Sequence, residues 1–139
     1  MNAAQEIALV RLAQTSVGKP FVWGQMDCNT LGTCAVDIML GTSYSQQIIG
    51  KYSTLREALE FQKSFLHWDD ELTRLGAEIV PNAAKAQSGD LIIVPLMAYD
   101  AVHVCICGKV LSVSPNSFVT LGRASLIPDE ATIYRLPVK

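Results

Sequence analysis

The chain changes its hydrophobic period midway, and that change limits its fold more than any other feature. Up to about residue 75 apolar residues recur at three–four spacing, the mark of amphipathic helices. From Leu91 onward they come in short runs and alternations, the mark of strands. In the first segment, Met1 to Val17, Ile7, Leu9, Val10, Leu12, Ala13 and Val17 form a stripe that ends at Gly18-Lys19-Pro20. Leu31, Cys34, Ala35, Ile38 and Met39 predict a second helix starting at Cys28, with Asp27 as N-cap and Gly41 as its stop. Thr54-Leu55-Arg56-Glu57 reads as a capping box opening a third, with Leu55, Ala58, Leu59 and Phe65 as its apolar face. A short fourth helix is expected from Asp69 to Leu75, ending at Gly76.

Strands are expected at Leu91 to Val94, Ala101 to Cys107, Val110 to Ser114, Phe118 to Leu121 and Thr132 to Leu136. Gly108-Lys109 is short enough to close a hairpin between the second and third of these. Helices followed by an antiparallel sheet define an α+β fold. The length of 139 residues makes 1–139 a single domain.

Composition narrows the function classes. Half of the residues are hydrophobic and 17% charged, too apolar for a disordered tail. Eleven basic against thirteen acidic residues, with no basic run, give no surface for tracking nucleic-acid phosphates. No apolar stretch approaches the ~20 residues that span a bilayer. Glu6 and Arg11 interrupt the first apolar segment, which is therefore read as a helix and not a signal peptide. Four cysteines are too few for a disulfide scaffold, so free thiols are expected.

Two histidines constrain any imidazole chemistry. In Val102-His103-Val104-Cys105-Ile106-Cys107 a period of two sets His103, Cys105 and Cys107 on one face, and the cysteine helix is expected to cover it. With Gly108-Lys109 as the turn, His103 pairs with Ser114, whose hydroxyl would orient the imidazole; Asn116 is the alternative. Cys28, in the first turn of a helix, gains from the positive end of the dipole, which favours a thiolate. His103 would take its proton and return it to a leaving amine, and the Cys28 N–H is free to meet an oxyanion. Asp27 works against this by placing a negative charge beside the thiol. Phe21 and Trp23 suit the walls of a substrate groove, and Gly32 a close approach of helix and sheet.

Other residues read as structural. Cys34 lies on the core stripe, and His67 belongs to a surface or interface. The spacings argue against a metal. Cys28 and Cys34 are roughly 120° out of phase on a helix. His103 and Cys107 stand roughly 13 Å apart along a strand. No cofactor is called for, and a Cys105–Cys107 disulfide does not fit strand geometry.

These residues carry a resemblance. Gly18-Lys19-Pro20-Phe21-Val22-Trp23-Gly24 and Asp27-Cys28-Asn29-Thr30-Leu31 resemble the nucleophile motif of the NlpC-type papain-like peptidases, which cut peptides of peptidoglycan. Gly89-Asp90-Leu91-Ile92-Ile93-Val94 and His103-Val104-Cys105-Ile106 resemble their later strands, in the same order. Gly41-Thr42, Gly50-Lys51-Tyr52-Ser53-Thr54 and Ala58-Leu59 are similar to small phage and prophage tail proteins of that superfamily. The resemblance implies a papain-like fold with the nucleophile helix packed on a C-terminal antiparallel sheet. It implies catalysis by Cys28, His103 and Ser114, with Phe21, Trp23 and Asp27 against the substrate. It also implies other tail proteins as partners, synthesis in the host cytoplasm without a signal peptide, and a place in the virion tail. Three positions depart from the family: Phe21 replaces a tyrosine, Ser114 a stronger acceptor, and Thr30 a glycine. The alternative is a structural subunit of the tail tip or its assembly, with catalysis weakened or lost.

Overall fold

The computed structural model, which describes residues 1–138, is an α+β fold in which helices come first and a sheet follows. Helix α1 (Ala3–Ser16) is opened by Asn2 in a reciprocal box with Gln5. α2 (Cys28–Leu40) is capped by Asp27 and ends at Gly41 in the left-handed conformation, as the sequence predicts. The short α3 (Tyr44–Ile48) was not expected from the sequence. α4 (Leu55–Ser64) is capped by Thr54, whose hydroxyl accepts the Glu57 N–H. The Glu57 carboxylate meets the Ser53 N–H, so the return half of the box lies one residue early. α5 (Trp68–Arg74) completes the helical half.

Six strands form one antiparallel sheet in the order β1-β6-β2-β3-β4-β5. They are β1 (Glu78–Val80), β2 (Leu91–Pro95), β3 (Asp100–Ile106), β4 (Lys109–Ser112), β5 (Thr120–Arg123) and β6 (Thr132–Arg135). β1 escaped the sequence reading because three residues are too short to show a period. β5 begins two residues after the expected Phe118, which instead faces Pro20 in an isolated bridge.

The main core lies between the sheet and α1, α2 and α5. Leu9, Leu31, Ala35, Trp68 and Leu72 there meet Leu91, Val102, Val104, Leu111 and Tyr134. A smaller cluster on the other face contains Ile92, Val94, Ala101, Cys105, Val110 and Ile133. α2 rides close on β3: a Cβ at Gly32 would lie 2.7 Å from Val102 Cγ1 and 3.0 Å from the Trp68 ring. The helical stripes are narrower than the sequence suggests, since Ile7, Leu55 and Phe65 remain exposed.

Two expectations about β3 are corrected. The face that α2 covers is that of Val102, Val104 and Ile106, whereas His103 is registered with Ile92 on the opposite side. The β-branched face offers more apolar surface to the thicker layer, at about 25 cal/mol per Å² buried, so the helix takes it. The hairpin turn is Cys107-Gly108, both with positive φ (52° and 74°), and not Gly108-Lys109. A tight hairpin turn accepts glycine readily as its second residue, which also spares Lys109 a strained conformation. The register becomes Val104↔Leu111 and Cys105↔Val110, so one further step sets Ser112, not Ser114, opposite His103. Because the shift is by two residues, every side chain keeps its face.

Candidate active site

Cys28 is the first residue of α2, and its local geometry follows from Asp27. Asp27 Oδ1 accepts the Thr30 N–H at 2.8 Å, and Thr30 Oγ1 accepts the Asp27 N–H at 2.9 Å. Thr30, at the position where the resembling family has glycine, thus closes the cap. Asp27 Oδ2 accepts the Gly24 N–H at 2.8 Å and the Tyr52 O–H at 2.6 Å. Gly24 admits that approach: at φ +76 its missing Cβ would fall 1.9 Å from the Tyr52 carbonyl oxygen. Asn29 binds the next layer, its Oδ1 accepting from Trp68 Nε1 at 2.8 Å and Gln62 Nε2 at 3.0 Å. Gln62 also donates to the Asp100 carbonyl at 3.0 Å, tying α4 to the start of β3.

Cys28 belongs to the main core, against which Phe21 and Tyr99 pack. Phe21 and Trp23 meet edge to face with centroids 4.6 Å apart, and Trp23 continues to Tyr99 at 6.3 Å. Tyr99 borders a groove of about 530 Å³ that His103, Ser112, Ser114 and Phe118 also line. Cys28 itself is 5% exposed, and burial, with the Asp27 charge adding to it, pushes its thiol up to about 12. The Val102 backbone partly offsets burial at Cys28 and at its neighbour His103. Among the described residues no hydrogen bond joins the two, and His103 Nδ1 is buried without a partner. Protonated cysteine and neutral histidine are the forms this arrangement favours.

The remaining expected residues are placed as follows. Ser114 is exposed and hydrogen-bonds with Ser117 in the turn after β4, while Asn116 occupies a positive-φ position in that turn. Cys107 leaves the strand altogether; its thiol donates to Glu6 at 3.2 Å. His67 is half-exposed beside Asp70. Tyr52, Gln62, Tyr99 and Ser112 were missed. Asn29 adjoins the cysteine within the motif, whereas nothing local distinguishes a tyrosine brought from a connecting segment.

Burial holds the His103 imidazole below the usual histidine value. The unfolded chain takes up that proton at ~6.5, and the folded chain only at lower pH. Stability contributed by neutral His103 is therefore full above ~6.5 and declines as pH falls toward the folded value. Urea midpoints measured from neutral to mildly acidic pH should fall less steeply for His103→Gln than for wild type. Equal slopes would show that His103 is not held neutral.

The chain is thus an α+β fold with a cysteine opening a buried helix and a histidine on the strand that helix packs against. Residues 2–127 match the family described as a domain of unknown function (DUF6950), and the chain belongs to that family. No curated protein and no solved structure matches it. Among the described residues no helix is long and apolar enough to cross a membrane.

Proposed function

We propose that the chain is a phage tail-associated protein of NlpC-type, papain-like fold, in which Cys28 and His103 hydrolyse peptide amide bonds of peptidoglycan. The observation that carries the reading is the seat of Cys28. It opens a buried helix with its N–H free of intrahelical bonding, near Tyr99, which borders the His103 groove. The resemblance of the Gly18 to Leu31 and Gly89 to Ile106 segments supports the fold and the setting.

In the reaction His103 removes the Cys28 proton and the sulfur attacks the amide carbon. The Cys28 N–H faces the oxyanion, and His103 returns the proton to the departing amine. Water then cleaves the thioester, releasing a carboxylate and the thiol. In the unliganded chain thiol and imidazole are neutral and unbonded, and His103 lies on the β3 face away from α2, so the reaction requires a rearrangement that brings them into contact. Peptide or a neighbouring tail subunit would have to bring them together.

The burial of Cys28 also favours a second reading, a structural subunit of the tail tip or its assembly. Alkylation of Cys28, mapped by mass spectrometry against pH in the presence of peptidoglycan peptide, separates the two. On the peptidase reading Cys28 reacts within the activated range of ~3.5–7.5, and His103→Ala abolishes that reactivity. A thiol silent until alkaline pH, with or without peptide, removes the peptidase reading. In virions, Cys28→Ala would then leave both tail assembly and peptidoglycan release untouched.

A further inference from the structure

Tyr52 has no place in the motifs that define the site, yet its hydroxyl reaches the charge that adds to burial in opposing activation. Asp27 is the charged neighbour that raises the Cys28 thiol. Its Oδ2 accepts the Tyr52 O–H at 2.6 Å, and the same phenol oxygen accepts from Asn29 Nδ2 at 3.3 Å. Tyr52 is 4% exposed and stands between α3 and α4, so the contact joins that connecting segment to the nucleophile turn. A second link runs alongside, from the Gly50 N–H to the Gly24 carbonyl at 2.9 Å. The Tyr52 ring packs on Phe61 of α4 with centroids 5.2 Å apart, which fixes the direction of its hydroxyl.

We propose that Tyr52 is a positioning residue for Cys28: its phenol O–H engages the Asp27 carboxylate, screening that charge from the thiol and holding the helix cap in place. The assignment rests on the reading of Cys28 as the reactive group. A carboxylate that accepts a third donor projects less charge on its neighbours, and a charge-assisted bond in a buried setting is of the stronger kind. The groups facing Cys28 are then Asp27 on its own turn, Tyr52 from the connecting segment and Tyr99 before β3, while His103 lies on the other face of β3. Burial, with Asp27 reinforcing it, keeps the Tyr52 phenol protonated, so it remains a donor throughout the range in which Cys28 titrates.

The test is the rate of Cys28 alkylation between about pH 7 and 10, where rate follows the thiolate fraction. Half-buried Cys34 of the same chain serves as internal reference. Tyr52→Phe should slow Cys28 by about tenfold at every pH, one unit of acidity, and leave Cys34 unchanged. In an Asp27→Asn background the same replacement should have no effect, because the charge to be screened is gone. A Tyr52→Phe protein that melts earlier but keeps the wild-type ratio of Cys28 to Cys34 rates would overturn the assignment. Should Tyr52→Phe not fold, 3-fluorotyrosine at position 52 strengthens the same donor and should speed Cys28; an unchanged rate then rejects the role. The outcome is independent of His103: loss of the dyad shows as a silent His103→Ala, while the Tyr52 effect persists.

Discussion

Trp68→Ala is expected to lower the free energy of unfolding by about 3–5 kcal/mol, read from urea or guanidinium midpoints. Trp68 is 2% exposed and is among the largest fully buried side chains. Its ring packs where Gly32 brings α2 down on β3, so alanine would leave a void between two layers that already meet without slack. The indole also donates to Asn29 Oδ1 at 2.8 Å, and Asn29 adjoins Cys28. Trp68→Phe separates the two contributions. It keeps most of the apolar contact and removes one donor, while Asn29 Oδ1 keeps Gln62 as a partner. A loss of about 1–2 kcal/mol is expected for that variant. If Trp68→Ala costs no more than Trp68→Phe, packing at Gly32 is not what holds α5 against the sheet.

The second large effect concerns the link between the two halves of the sheet. Asp90 is 2% exposed, and its carboxylate accepts two bonds from Arg135, at 3.1 Å from Nε and 2.8 Å from Nη2. It also accepts the Gln87 N–H at 2.8 Å, which shapes the turn before β2. Arg135→Leu would strand this carboxylate with a single donor. Because the guanidinium is partly exposed, the expected loss is about 2–4 kcal/mol, near the lower end for a broken buried pair. Asp90→Asn in the Arg135→Leu chain should recover much of it, since the uncompensated charge is gone while the Gln87 contact survives. A double variant as unstable as Arg135→Leu alone would mean that the hydrogen bonds, rather than the charge, carry the effect. Arg135 further donates to the Lys85 carbonyl at 2.9 Å, a contact that neither variant restores.

The site was only partly legible in advance. Cys28 at the start of α2, Asp27 as its cap and Gly32 as the close contact follow from spacing and residue type, and the structure has all three. His103 was correctly set on a strand, but its orientation followed a functional expectation and not the apolar balance of the two faces. Val102, Val104 and Ile106 form the more hydrophobic stripe, and that signal was present in the alternation itself. The hairpin register turned on whether Gly108 is the first or second residue of the turn, and that choice moved the position opposite His103 from Ser114 to Ser112. Tyr52 gave no local sign. Its partner Asp27 is 25 positions away, and only the packing of its ring on Phe61 brings the hydroxyl there.

The sequence alone determined the division into helices and sheet, the caps of α2 and α4, and the location of the thiol at a helix N-terminus. Each of these is decided within a turn or two of chain, by periodicity and by bonds between residues three or four apart. Tertiary structure alone decided which face of β3 meets α2, how β4 is registered on it, and which phenol reaches Asp27. Those outcomes depend on how much apolar surface each layer buries and on contacts between distant segments, which no local pattern encodes.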